Sequence, residues 1–390
     1  MMEIEQKIEP SKLIIDVKEK ILNDNCKDPT VFNINQPLRP ELVYVRQQLP
    51  LISENFMRFL IHGIQENALI IGSRGSGKTA LVKYVLQELK KMPEFDFEII
   101  YVNCKGIYNS YRVMKEIIGE KKKISKADVY EYFKDYIKNL NKKCFLILDE
   151  VDLLSDDDLL YHLTRNEDFK NVHIIMISKT IAFWQNLTED VKSSLNKQEI
   201  FFDTYGYLEI KNILTKRAES GLKEYDKTIL FHIATANVSR AFSDVRAGLK
   251  VMQRVFRNND FKKCSNYKDI DESLVKNIND YMDEEYSRLK EGSIRNLSDE
   301  KLLALYFVIK YGKSNSAYKK YTENAYVVMS KPHFLRMVNE LAQMDLFTVQ
   351  KNRNQRSFVL EFIENIGKSN KALVAQLINS KKILKGDASI

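Results

Sequence analysis

Eight consecutive residues, Gly72, Ser73, Arg74, Gly75, Ser76, Gly77, Lys78 and Thr79, satisfy the pattern Gly-x4-Gly-Lys-Ser/Thr at every position. An apolar run, Ala68–Ile71, precedes them, and apolar residues at helical spacing follow in Thr79–Lys91. The chemistry of such a strand–loop–helix is anion binding. Glycines let backbone N–H groups curl around phosphate oxygens, and the helix N-terminus adds partial positive charge. The reading makes Gly72 to Thr79, with Ala80 in the first helical turn, a cradle for ATP or ADP. Lys78 reaches the β- and γ-phosphates, and Thr79 ligates Mg2+.

A second constellation completes this chemistry. The run Phe145–Leu148 is an apolar strand that ends in Asp149 and Glu150. Such a strand delivers carboxylates beside the phosphates. Asp149 holds Mg2+ through water, and Glu150 polarises the attacking water. Lys78, Asp149 and Glu150 are therefore the expected catalytic residues.

The elements that must position these groups are legible from periodicity. Apolar runs at 68–72, 97–103, 144–149, 172–178 and 199–202 alternate with helical patterns at 79–91, 110–118 and 126–140. Continuous apolar strands separated by helices predict an α/β fold with a parallel sheet covered on both faces. The alternation stops near residue 205, and 207–290 reads as helix after helix. A polar junction at 290–295 precedes amphipathic helices at 297–311 and 330–344. Residues 346–350 and 357–360 then read as strands around a basic tip, 351–356. Helix, strand, basic turn, strand is the pattern of a winged helix. The expected organisation is an N-terminal arm (1–35, with an amphipathic stretch Leu13–Leu22), a core (36–206), an all-α lid (207–292) and a winged-helix domain (293–390).

Composition sets the outer limits. The 390 residues carry 44% hydrophobic and 29% charged side chains, enough to bury a sizeable core over two or three domains. Four scattered cysteines without a CxxC pair exclude a disulfide scaffold and a cysteine zinc site, and five dispersed histidines offer no HxxxH pair. No secretory leader and no membrane-spanning run is read, so the expected location is cytoplasmic, at the nucleoid, or nuclear in a eukaryote. Lys and Arg exceed Asp and Glu by 61 − 53 = 8, which permits an anionic partner.

Longer stretches carry a family resemblance. The segment Pro40–Arg46, the strand end Tyr101-Val-Asn-Cys104 and Leu148–Leu154 (LDEVDLL) resemble motifs of the AAA+ replication initiators of archaea. These are homologous to eukaryotic origin recognition complex subunits. Leu187–Leu195 followed by Glu199–Phe202, the helix with Arg217-Ala-Glu219, and Ser243-Asp-Val-Arg-Ala-Gly-Leu249 are similar to further motifs of that family. The resemblance implies a P-loop AAA+ domain with an all-α lid and a C-terminal winged helix. It places Tyr44, Arg46 and Tyr207 near the nucleotide, and it makes Arg246 a lid arginine that contacts it. The family's sensor asparagine is Lys179 here, its DPR arginine is replaced by Asp190, and the glycine of its GDAR motif is Ser243. Those departures imply firm nucleotide binding with slow hydrolysis, in a divergent paralogue.

A winged helix implies double-stranded DNA as a partner. Its recognition helix would offer Lys331, His333 and Arg336, and its wing Lys351, Arg353, Gln355 and Arg356, to phosphates and base edges. A basic run, 121–126, is a second candidate DNA contact. The implied function is nucleotide-dependent recognition of origin duplex and recruitment of the replicative helicase. Two alternatives stay open: a paralogous regulator, and an ATP-binding subunit among related initiator subunits.

Overall fold

The computed structural model describes residues 25–33, 39–105, 107, 109–119, 125–239, 243–257, 264, 266–295, 297–343, 346–354, 357–364 and 368–385. The chain divides into two compact units, Met1–Lys263 and Cys264–Ile390. The expected helix Leu13–Leu22 and most of the basic run 121–126 lie outside the described residues.

The first unit is built on five parallel strands: β1 (Asn67–Gly72), β2 (Phe97–Asn103), β3 (Lys143–Asp149), β4 (Val172–Ser178) and β5 (Lys197–Phe202), in the order β2-β3-β4-β1-β5. Every residue of β4 is buried, and in β3 only the first is not. Strands covered on both faces need apolar residues at every position, so these two read as unbroken runs. Successive residues still point to opposite faces. Ala68 and Ile70 of β1 pack with helix α1 (Leu49–His62) and helix α2 (Lys78–Lys90) through Ile52, Phe56, Leu81 and Val82. Leu69 and Ile71 join the opposite core with Val113, Val129, Phe133 and Leu159. That second face is covered by α3 (Ser110–Ile118), α4 (Lys126–Asn139) and α5 (Asp158–Arg165), followed by the short α6 (Ala182–Asn186) and α7 (Glu189–Ser194). Asn109 and Ser125 cap α3 and α4 by accepting from Arg112 N at 3.0 Å and Asp128 N at 3.1 Å.

Three helices follow: α8 (Tyr207–Gly221), α9 (Lys227–Val238) and α10 (Val245–Arg257). Residues 25–33, expected within the N-terminal arm, lie against this lid. Asn25 Nδ2 donates to Glu224 O at 2.7 Å and Phe256 O at 2.8 Å, and Val31 and Phe32 are buried. Two apolar side chains and an amide that can satisfy two carbonyls explain why this polar segment is captured.

The second unit begins upstream of the expected boundary at 293. Helix α11 (Glu272–Arg295) belongs to it and runs through residues 290–295, read above as a junction. Ile294 is fully buried in the second core, and Arg295 pairs with Glu291 at 2.8 Å, so the stretch keeps both a packed and a solvated helical face. Then come α12 (Asp299–Tyr311), α13 (Ser314–Asn324), α14 (Lys331–Gln343), the antiparallel hairpin β6 (Phe347–Asn354) and β7 (Ser357–Glu364), and α15 (Lys368–Lys381). Residues Leu302–Ile309 of α12 are all buried, which makes it the central helix of this winged-helix unit. The hairpin is longer than the hydrophobic pattern suggests. Lys351 pairs with Leu360 and Arg353 with Phe358, so both basic residues sit on a strand rather than in the turn. The ladder's backbone hydrogen bonds do not require apolar side chains, so a polar strand end escapes a pattern search. Gln355 and Arg356 lie outside the described residues. Among the described residues no helix is long and apolar enough to cross a membrane.

A buried histidine in the first unit couples stability to pH. His173 on β4 is enclosed by Phe59, Phe145 and Phe56, with ring centroids 5.0, 5.3 and 5.6 Å away, and neither ring nitrogen has a hydrogen-bond partner. Burial pushes its pKa from 6.5 down to about 3. Between those values the unfolded chain binds a proton that the folded chain refuses. Its stability contribution is therefore full above pH 6.5 and is lost as pH falls towards 3, by up to ~1.4 kcal/mol per unit. Replacing the ring by His173→Leu removes this linkage. Urea midpoints followed by circular dichroism should fall less steeply for the variant than for the wild type between pH 6.5 and 4.5.

Candidate nucleotide-binding site

The loop between β1 and α2 passes close to its surroundings. Gly75 and Gly77 have φ of +70° and +88°, values that side chains other than glycine rarely adopt. Space forbids a side chain as well. A Cβ on Gly75 would lie 2.3 Å from Asp244 Oδ1, and one on Gly77 would lie 2.1 Å from the Tyr205 hydroxyl. Lys78 starts α2 and folds back, donating to Gly72 O at 2.6 Å and Ser73 O at 2.8 Å. Burial pushes its ammonium down to about 8, against the attraction of Asp149 and Asp152. Ser76 Oγ donates to Ser73 O at 2.9 Å and ties the loop together.

Arg46 braces the loop from outside. Its Nη1 donates to Ser76 O at 2.8 Å and Asp203 O at 2.9 Å, and its guanidinium stacks 4.4 Å over the Tyr205 ring. Glu209 of α8 completes the cluster at 3.7 Å. The family resemblance implies a place for Arg46 at the nucleotide. It lines the cavity, but these bonds serve backbone carbonyls of the loop and of the segment after β5.

The carboxylates stand at the end of β3. Asp149 Oδ2 accepts from Thr79 Oγ1 at 2.9 Å and from Tyr101 Oη at 2.8 Å, while its Oδ1 accepts from Glu150 N at 3.0 Å. Tyr101 is in register with Ile147, and strand alternation turns Ile147 and Asp149 to the same face. Lys83, one helical turn beyond Thr79, holds its ammonium 3.7 Å over the Tyr101 ring. A hydroxyl and a carboxylate converging at 2.9 Å are hard oxygen donors of the kind Mg2+ takes when phosphates and water supply the rest. The residues present therefore fit that ion.

Glu150 has a left-handed backbone, φ +54°, and its Oε2 lies 3.1 Å from Lys179 Nζ. Burial would raise its pKa. The charge and hydrogen bond of Lys179, helped by Arg74 and Lys105, outweigh that and hold it below the ordinary carboxylate range. Arg246, in the first turn of α10, is bound by Asp244, with Nε 2.9 and 3.1 Å from the two carboxylate oxygens.

These groups surround one cavity of about 680 Å³, a volume suited to a nucleotide. Arg74 to Ala80, Asp149, Glu150, Lys179 and Arg246 line its polar part, and Leu42, Val43, Tyr44, Ile213 and Leu249 its apolar part. Gly72 and Ser73 contribute the carbonyls that hold Lys78. Tyr207 does not line the cavity. It opens α8 directly after Gly206 and is 36% exposed, whereas Tyr205, two residues earlier, is buried and lines the site. Sequence reasoning also left Lys83, Tyr101 and Arg217 out of the site. The spacing of Lys83 from Thr79 was a usable signal. Tyr101 needed the adjacency of β2 and β3, which no local pattern encodes.

In the second unit, α14 buries Phe334, Val338 and Leu341 and exposes Lys331, Arg336 and Asn339, but Met337 is buried where Leu335, expected on the apolar face, is only partly so. Neighbouring acids and amides lie near its polar side chains. Lys331 Nζ is 3.0 Å from Asn315 Oδ1, Arg336 Nε 4.0 Å from Glu340, and His333 Nε2 3.9 Å from Glu300.

A family model described as an AAA domain matches residues 63–186. The ORC1-type DNA replication protein of Pyrococcus abyssi is 29% identical over 262 residues, covering 60% of this chain and 62% of that protein. Among solved structures, the Aeropyrum pernix ORC1 protein in complex with DNA has a TM-score of 0.65 at 21% identity, covering 91% of this chain and 97% of that one. The Aeropyrum pernix ORC2 protein, solved as ADPNP-ADP complexes, has a TM-score of 0.62 at 17% identity, with coverages of 92% and 99%. At those identities the structures establish the fold: a parallel AAA sheet, a helical lid and a winged-helix region. The chain spans less than two thirds of the length of the first curated relatives it matches.

Two substitutions test the site. Lys78→Ala should abolish ADP retention while leaving the far-ultraviolet circular dichroism unchanged; undiminished ADP binding would refute its place at the phosphates. Tyr101→Phe deletes one donor to Asp149, a hydrogen bond to a charged group. The Mg2+ concentration for half-maximal ADP retention should then rise roughly tenfold, with affinity in EDTA unaltered.

Proposed function

We propose that this chain, which belongs to the ORC1/Cdc6-type family of archaeal replication initiators, is a nucleotide-switched DNA-binding initiator. It would bind ATP and ADP with Mg2+, recognise duplex at a replication origin and help recruit the replicative helicase. The observation that carries this reading is the convergence of three elements on one cavity. The phosphate loop, the end of β3 and the lid all contribute, and Asp244 of the lid touches Gly75 of the loop.

The chain's own groups would act as follows. Lys78 would exchange the carbonyls of Gly72 and Ser73 for phosphate oxygens. Arg246 would divide its guanidinium between Asp244 and the nucleotide, so the phosphates would alter a contact that joins lid to loop. Thr79 and Asp149 would hold Mg2+, which supplies charge neutralisation along the phosphates. The nucleotide serves first as a conformational ligand, with ATP and ADP favouring different lid positions. Lys351 and Arg353 on the wing and Lys331 and Arg336 on α14 would meet DNA phosphates and base edges. A second reading, a paralogous regulator, draws support from Lys179 standing where the family carries an amide, and a third, a nucleotide-binding subunit among related initiators, from the Arg-Gly-Ser-Gly-Lys-Thr form of the phosphate loop.

Fragmented genomic DNA of the source organism, captured on the purified protein with ADP or ATP at ~150 mM salt, distinguishes these readings. Specific binders exceed non-specific affinity by ~10³ or more. Enrichment of one or two intergenic loci beside replication genes is expected. Enrichment at many promoters would favour the regulator, and none at all the subunit. Arg353→Ala combined with Arg356→Ala should weaken duplex binding and reduce its logarithmic salt slope by about one to two.

A further inference from the structure

We propose that Lys179 is a brake on hydrolysis, a positioning residue that occupies the Glu150 carboxylate and keeps it from the attacking water. The inference rests on the nucleotide-binding reading above. Its ground is geometric. The Lys179 ammonium lies 3.1 Å from Glu150 Oε2 and 3.9 Å from Asp152 Oδ2, with its side chain only 11% exposed. Its backbone is fixed as well, because Lys179 N donates to Asp152 Oδ1 at 3.2 Å. Asp152 therefore anchors the residue at both ends. Glu150 is constrained as well by its left-handed backbone, a conformation that non-glycine residues rarely adopt.

Hydrolysis needs the opposite arrangement. As water's oxygen bonds to the γ-phosphorus, the bond to the β-phosphate oxygen of the leaving ADP breaks. The water's proton passes to the Glu150 carboxylate and from there to solvent. A carboxylate oxygen already accepting a charge-assisted hydrogen bond, in a site largely shielded from solvent, presents less acceptor strength and less room to that water. An amide at residue 179 would instead leave the carboxylate's charge uncompensated and offer the water a partner. General-base assistance is typically worth 10²–10⁴ in rate, so suppressing it converts an ATPase into a slow-clearing nucleotide sensor.

The test uses the full chain with Mg-ATP, measuring single-turnover phosphate release and ADP affinity together. Lys179→Asn should raise the hydrolysis rate at least ~10-fold while ADP affinity changes less than about threefold. Lys179→Met, which removes the charge without adding an amide, should give a smaller rise. Adding Glu150→Gln to Lys179→Asn should cancel the gain, a result that a merely structural role for Lys179 would not produce. Unchanged rates in both Lys179 variants would overturn the proposal. So would a gain that survives Glu150→Gln, or a loss of ADP retention, which would make Lys179 a phosphate ligand. Failure of the wild-type chain to bind any nucleotide would instead bring down the nucleotide reading itself.

Discussion

The structure of the first unit turns on how closely other elements approach the backbone of the phosphate loop. Asp244 of the lid and the Tyr205 hydroxyl both stand where a Cβ of Gly75 or Gly77 would go, and Arg46 takes the carbonyl of Ser76. The loop is therefore an interface between core and lid as well as an anion cradle. A change in its backbone is felt at once by Asp244, and through Asp244 by Arg246. A nucleotide that reshapes this loop has a short physical route to the lid, two contacts long.

The site is also an exercise in compensated charge. Lys78, Lys179 and Arg246 meet backbone carbonyls, Glu150 and Asp244. The cations around the cavity are thus held by internal partners. Partly buried charges that lose such partners without replacement carry a desolvation penalty, so arriving phosphates must substitute for the partners they displace. Differential binding of this kind is what a ligand needs to shift a conformational equilibrium. Under the proposed reading the same arrangement would separate retention from turnover, since tight holding would use Lys78 and Thr79, whereas turnover would need Glu150 free.

The second unit shows the limits of pattern reading most clearly. Its central helix, α12, and the exposed cations of α14 follow from hydrophobic periodicity. Its boundary and its wing do not. A glycine and several charged residues at 290–295 suggested a break, yet Ile294 finds a place in a core assembled from residues up to Leu384, and the helix continues. The polar run 351–354 suggested a turn, yet cross-strand pairing with 357–360 continues through it. In the first case a distant core outweighed local composition, and in the second the backbone pairing of a hairpin neighbour did.

The phosphate loop, the carboxylate pair after an apolar strand, the alternation that makes a covered parallel sheet, and the helix–hairpin succession were determined by local sequence. Each depends on residue type and spacing within one element or its neighbour, where backbone freedom and periodicity act directly. Only the tertiary structure decided that Tyr205 rather than Tyr207 reaches the cavity, that Tyr101 and Lys83 support Asp149, that residues 25–33 bind the lid, and that Lys179 sits on Glu150. Those facts depend on strand order and on side chains that meet across tens to hundreds of residues of chain. Nothing in a local window encodes such meetings, because their free energy exists only once the sheet and the lid have closed around the same space.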